Sequence, residues 1–212
     1  MRSELAEKLG QRFARLTTNA VVRRPRLWRF FRRPMRLQFD RLAPVWDAMR
    51  RPDSLASFER ALEEIHGSPR RALDVGTGTG AGAFTIARRF PEAEVVGVDL
   101  APGMLAEARR LTPPELAARV RFEEEDASRL SFEDRFFDLI GLANMIPFFD
   151  ELDRVLAPGG WVIFSFSGGA ETPIWVPPER LRAELSARGF SDFADFAVGR
   201  GTSFLARKRE RS

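Results

Sequence analysis

Asp74, Gly76, Gly78, Gly80 and Asp99 are the residues of this chain whose types and spacing first point to chemistry. They lie in "RALDVGTGTGAGAFTIARRF" (Arg71–Phe90) and at the end of "VVGVDL". Alternate glycines after a short apolar run let a ligand approach bare backbone. The helix that follows offers free N–H groups and the positive end of its dipole. Gly76-x-Gly78-x-x-Ala81 meets the relaxed dinucleotide pattern, with Asp99 as the ribose acid. A Walker-type phosphate loop is excluded, because no Gly-Lys-Ser/Thr follows. Asp74, two residues before the first glycine, is awkward beside a pyrophosphate and suits a ligand carrying an ammonium and a sulfonium.

Three further places carry candidates. "VRFEEEDASRL" ends a strand at Asp126-Ala127, where a carboxylate can accept from an exocyclic amine. Asn144 ends the strand in "FDLIGLANMIPFF". A general base has to be Asp or Glu, because the chain has no tyrosine, no cysteine and one histidine. Asp150 and Glu151 are placed for that role, although an acidic first helical turn would look the same. His66 reads as a surface residue closing a helix before "GSPR". The lack of cysteine removes disulfides, thiolate zinc sites and cysteine nucleophiles together, and no metal site is expected.

The elements that must position these residues follow from periodicity. Candidate strands are Ala72–Val75, Glu94–Val98, Val120–Glu123, Phe137–Leu142, Trp161–Phe166, Phe193–Val198 and Ser203–Arg207, with helical stretches in most of the gaps between the first five. This is the pattern of an α/β fold with a doubly wound, mostly parallel sheet. "GRG" is too short for a crossover, so the last two strands should form an antiparallel hairpin.

Residues 1–52 form a basic helical arm or lid, and 53–212 the main domain. The arm holds 14 Arg/Lys against 4 Asp/Glu, whereas the remainder holds 20 against 26. Its first helix is expected over Ser3–Thr17, followed by a break at "TTNAVVRRP". In "PRLWRFFRRPMR" a helical wheel places Leu27, Trp28, Phe30, Phe31 and Met35 on one arc and the five arginines on another. Pro34 should kink or end that helix. Such a helix can contact an anionic membrane through residues 25–36, or dock its apolar arc on the domain with the arginines solvated. No apolar run approaches the roughly 18–20 residues of a membrane span. The charged N-terminus does not read as an export signal, so the cytoplasm is the expected compartment, at its membrane surface if the arm makes that contact.

The order of motifs over residues 71–208 resembles the class I S-adenosylmethionine-dependent methyltransferases, in the small-molecule branch with the quinone- and lipid-type enzymes. The acidic glycine loop, the ribose acid, the Asp-Ala pair and "VLAPGG" carry the resemblance. It implies a seven-stranded Rossmann-like sheet ending in an antiparallel hairpin, with S-adenosyl-L-methionine as cofactor. Asp74 would then orient the methionine amino group through the loop, over Gly76, Gly78 and Gly80. Asp99 would hold the ribose hydroxyls, with Leu100 and Met104 beside the adenine. Asp126 would accept from the adenine amine, with Ala127 next to it, and Asn144 would contact cofactor and substrate. "FDRLAPVWD" (Phe39–Asp47) resembles the entry segment of the quinone-type branch, with Trp46 where an aromatic hydroxyl is usual.

The expected activity is methyl transfer to a small, apolar or lipid-like acceptor, chiefly by positioning and desolvation. Phe39, Trp46, Phe148 and Trp175, with Trp28, would line an apolar lid or pocket. A nucleic-acid methyltransferase using the basic arm is the alternative. It is disfavoured because "NMIPFF" lacks the Asn/Asp-Pro-Pro-aromatic run that handles a flipped base amine. A non-enzymatic nucleoside-binding module is a further one.

Overall fold

The computed structural model describes residues 14–210. Helix α1 covers 14–23; a 3₁₀ turn at Pro25–Leu27 leads into α2 (Trp28–Leu42), a second turn at Ala43–Val45 and the short α3 (Trp46–Met49). Then follow α4 (Ala56–Glu63), β1 (Arg71–Val75), α5 (Ala81–Arg89), β2 (Glu94–Asp99), α6 (Pro102–Leu111), β3 (Val120–Glu124), β4 (Phe137–Ala143) and α7 (Phe149–Val155). The chain closes with β5 (Leu156–Phe166), α8 (Pro178–Ser186), β6 (Phe190–Val198) and β7 (Gly201–Lys208).

The seven strands form one sheet in the order β3-β2-β1-β4-β5-β7-β6. Pairs β1–β2, β2–β3, β1–β4 and β4–β5 are parallel, while β7 runs antiparallel to both β5 and β6. The order reverses between β1 and β4, so the crevice beyond their carboxyl ends is the natural binding place of such a sheet. Strand residues divide between the two faces with period two. Leu73, Val75, Val96, Val98, Ile140 and Leu142 belong to one apolar cluster, which α7, α8 and the arm cover. Ala72, Val95, Leu139, Ile163 and Leu205 belong to the other, with Phe58 and Leu62 of α4, Ile86 of α5 and Leu105 of α6.

The seven expected strands all form, most of them extended by one to three residues, and the "GRG" hairpin forms as expected. Helices fill three of the four gaps between the first five strands, as expected; residues 125–136 between β3 and β4 contain none. The space a crossover helix would cover is taken by the arm, for Val21 and Trp28 are buried in the same cluster as Ala127, Leu130, Val96 and Val98. Two local expectations do not hold. The break at "TTNAVVRRP" is absent until Arg24: α1 runs through Arg23, with Thr17, Thr18 and Val21 buried and the Thr18 hydroxyl donating to the Ala14 carbonyl. Helix α2 continues through Pro34 to Leu42. The proline forfeits an N–H that would bond the Phe30 carbonyl, and Phe30 lies on the solvated side where water can serve instead. The Ser3–Thr17 helix falls for the most part outside the described residues.

Gly141, central in β4, shows how tightly this sheet is covered. A Cβ there would lie 2.7 Å from the Cζ of fully buried Phe58 and 3.2 Å from the Cδ1 of Ile86. Overpacking of this kind costs about 1–3 kcal/mol. Gly141→Ala should therefore lower unfolding stability by that amount in a denaturant titration, with no change in the slope.

Candidate functional site

The loop from β1 to α5 is stapled to the end of β2. The N–H groups of Gly76 and Thr77 both donate to the Val98 carbonyl, at 2.8 and 2.9 Å. Gly76, Gly78 and Gly80 have φ of 70°, 54° and 91°, a region costly for side-chain-bearing residues, so the turn needs glycine at all three positions. Beneath it Asp74 is buried, accepting from the Thr77 hydroxyl at 2.6 Å and from the Ala83 N–H. Burial pushes its carboxyl up to about 6. The two hydrogen bonds oppose the shift, and the charge of Asp99 adds to it. Gly82 leaves room for this carboxylate, since a Cβ there would stand 2.6 Å from its Oδ1.

Asp99, at the end of β2, accepts from the Gly78 N–H and the Ala101 N–H, each at 2.9 Å. Its carboxyl is also raised by burial, against the N–H groups of Ala101, Gly78 and Leu100, with Asp40 adding a smaller repulsion. Leu100 is partly buried, and Met104 is buried with Ala43 and Ala101 under Phe39, Leu42 and Trp46. Asp126 follows β3. Its Oδ1 accepts from the Trp28 indole N–H at 2.8 Å, the Ser128 N–H at 2.9 Å and the Ser128 hydroxyl at 2.7 Å. Ala127 beside it is buried. Asn144 sits just past β4 at φ 54°, its side-chain amide paired with the N–H and hydroxyl of Ser167. It does not cap α7, whose N-cap position is Phe148.

The arm closes over this group. Asp40 accepts from the Gly103 N–H at 2.8 Å, in the first turn of α6. The Thr79 hydroxyl donates to Asp47 at 2.6 Å, and Arg36 pairs with Glu124 at 2.9 Å. Trp46 stands over Gly78, its Nε1 3.5 Å from where a Cβ would be, and packs edge-on to Phe39 with centroids 5.5 Å apart. Phe148 packs edge-on to Trp28 at the same separation. Trp175 packs against the apolar cluster that holds Trp28 and Phe148, and lines a cleft of about 200 Å³ with Phe166, Leu181 and Phe204.

Asp150 and Glu151 do not gather with the loop residues. Asp150 is 84% exposed and pairs with Arg188 at 2.6 Å. Glu151 pairs with Arg154 and accepts from the Leu130 N–H, both at 2.6 Å. Both carboxylates are engaged in structural ion pairs, as an acidic first helical turn would be.

Sequence reasoning treated Trp28 only as part of a lid and gave no role to Asp40, Asp47 or Met145. Met145 lies against Gly76, its sulfur 2.7 Å from a hypothetical Cβ. Asp40 and Asp47 were within reach, as two acids seven residues apart, hence on one helical face, in a strongly basic segment.

Glycines at positive φ, a buried carboxylate with a raised pKa, and acids at the ends of β2 and β3 gather negative charge around a loop that bare backbone leaves open to a ligand. A diphosphate would meet the charge of Asp74 and Asp99 unshielded. The indole seated on Asp126 shows that this carboxylate accepts from the N–H of a planar heteroaromatic. Fold and loop together define a class I methyl-donor-binding domain.

The comparisons agree. Residues 72–160 match the family model of a methyltransferase domain. The demethylmenaquinone methyltransferase of Thermus thermophilus is 41% identical over 140 residues, 59% of this chain and 62% of that protein. The chain thus spans about three fifths of that curated relative. Among solved structures, an S-adenosylmethionine-dependent methyltransferase from Aquifex aeolicus superposes with a TM-score of 0.65 at 17% identity, over 78% of this chain and 97% of that one. Phosphoethanolamine N-methyltransferase 2 of Haemonchus contortus, in complex with S-adenosyl-L-methionine, gives 0.60 at 21% identity over 74% and 52%. Residues 72–160 thus carry a methyltransferase domain, on a fold shared with S-adenosylmethionine-dependent methyltransferases, and the cofactor this likeness supports is S-adenosyl-L-methionine.

Two expectations follow from this geometry. A cation bound against Asp74 favours its ionised form, so binding should expel a proton around and below pH 6. Affinity for S-adenosylmethionine should rise from pH 5 to 7 and then level off. Calorimetric enthalpies measured near pH 6 in buffers of different ionisation heat should diverge, and converge near pH 8. Trp28→Phe keeps an aromatic ring but removes the N–H that competes for Asp126. It should tighten S-adenosylhomocysteine binding by about 1 kcal/mol, roughly fivefold in Kd.

Proposed function

We propose that this protein transfers the methyl group of S-adenosyl-L-methionine to a small, largely apolar acceptor. The observation that carries the reading is that Asp74 and Asp99, at the ends of β1 and β2, both hydrogen-bond the glycine loop, through Thr77 and Gly78, with Asp126 just past the neighbouring strand β3. The cofactor brings a methyl carbon already activated by a sulfonium, so the protein's task is placement and exclusion of water. Asp74 orients the amino group through the loop. Asp99 holds the ribose hydroxyls in place of its present backbone donors. Asp126 takes the adenine amine once the Trp28 indole has moved off it. Leu100, Met104 and Ala127 supply apolar contact to the base. Asn144, held by Ser167 at the end of β4, stands at the acceptor side.

Phe39, Trp46 and Phe148 form the apolar cover under which the acceptor binds, and Trp175 contributes from its cleft. A quinone of the kind for which the Thermus relative is named would fit such a cover. With Asp150 and Glu151 both in ion pairs, catalysis proceeds by alignment and desolvation, without a side-chain base from α7. The reading includes a cytoplasmic location.

Isothermal titration should show binding of S-adenosylmethionine and no binding of NAD. Asp99→Ala should lower the cofactor affinity at least about 100-fold, the loss of two charge-assisted hydrogen bonds. A screen of quinone, phenol and lipid acceptors with labelled donor, read by mass, should show label only in apolar acceptors. Tight NAD binding would overturn the reading.

A further inference from the structure

Helix α2 turns one apolar side to the domain and leaves a second one outside. Trp28 is buried, and Phe31 and Met35 pack against the core. What remains outside is a row in steps of three and four residues: Arg26, Phe30, Arg33, Leu37 and Arg41. Phe30 is 59% exposed and Leu37 57%. The Arg29 guanidinium lies 4.5 Å over the Phe30 ring. Among the described residues, the exposed large hydrophobics are Leu16, Phe30, Leu37, Val45 and Met49, all within the arm.

The charge on this face is one-signed. Residues 14–53 contain three acids, and none pairs with the outer row: Asp40 accepts from the Gly103 N–H and stands near Arg36, Asp47 accepts from the Thr79 hydroxyl and stands near Arg50, and Asp53 pairs with Arg51. Arg26, Arg33 and Arg41 have no carboxylate partner among the described residues. Behind Pro34 an open groove of about 520 Å³ is lined by Leu37, Gln38, Arg41 and Leu42. Large apolar side chains standing among uncompensated arginines suit a boundary between anionic headgroups and acyl chains. A nucleic acid would use the arginines and leave Phe30 and Leu37 unexplained. No described helix is long and apolar enough to cross a membrane, so contact would lie along the surface.

We propose that the outer face of α2, centred on Phe30 and Leu37 and ringed by Arg26, Arg29, Arg33 and Arg41, docks on an anionic lipid bilayer. The same helix, by its inner face, holds Trp28 on Asp126 and Asp40 on Gly103. Docking therefore sets the helix that covers the glycine loop along the lipid surface. The lipid contact does not depend on the methyltransferase reading, since it needs no cofactor.

The test uses the full chain and sedimentation with vesicles. One set has equal parts phosphatidylglycerol and phosphatidylcholine, the other phosphatidylcholine alone. The protein should pellet with the first, much less with the second, and less as salt is raised. Arg26→Gln/Arg33→Gln should weaken binding at least about tenfold, given the contribution of each basic residue at an anionic surface. Phe30→Ser/Leu37→Ser should weaken it comparably while leaving circular dichroism and S-adenosylmethionine affinity unchanged. Equal binding to both vesicle types, or anionic binding that survives both double variants, would overturn the proposal. So would salt-sensitive binding to RNA without binding to vesicles, or a dimer that Phe30→Ser/Leu37→Ser dissolves with no effect on vesicles.

Discussion

Asp74 is a carboxylate sealed between the end of β1 and the first turn of α5, with a hydroxyl and a backbone N–H for partners and no arginine or lysine beside it. Keeping a carboxyl there is unfavourable in its charged form, and its raised pKa records that cost. The surrounding geometry follows from accommodating it. Gly82 has to be glycine because a Cβ would strike the carboxylate, and Thr77 supplies the one hydroxyl. The loop then passes over the acid in a path that only residues tolerant of positive φ can follow. A site built this way is prepared for a ligand that brings its own positive charge.

The arm completes the fold and does more than lie on it. Between β3 and β4 the chain spends twelve residues without forming a helix. Val21 and Trp28 fill the space over Val96 and Val98 of β2, beside Ala127 and Leu130. Burying Trp28 there brings its N–H to Asp126, since a buried indole needs an acceptor. The packing demand of the sheet and the occupancy of the site are thereby joined in one side chain.

Charge within the arm is sorted by direction. Asp40 and Asp47 turn inward to backbone and hydroxyl donors of the domain, while most of the arginines remain in solvent. Asp40 and Asp47 also stand near Arg36 and Arg50, at 3.9 and 3.6 Å, whereas Arg26, Arg33 and Arg41 have no carboxylate partner among the described residues. Negative charge thus gathers at the loop and positive charge on the outside of the same helix.

The strands, their parallel order and the final hairpin were legible in the sequence, because burial on both faces imposes apolar runs of fixed length and "GRG" permits one connection. The glycine loop and its acids were legible for a similarly local reason: positive φ and close approach demand glycine at defined intervals. Several things were decided by tertiary structure. A wheel drawn for α2 separates arginines from apolar residues, yet cannot say that Phe30 is left outside or that the helix survives Pro34, because both depend on which side the domain covers. The partner of Asp126 lies 98 residues away in sequence. Asp150 and Glu151 stand where a base could stand, and their ion pairs with Arg188 and Arg154 are contacts that only folding creates. Local sterics and periodicity are written in neighbouring residues, whereas the pairing of distant charges and the choice of buried face arise when the layers pack.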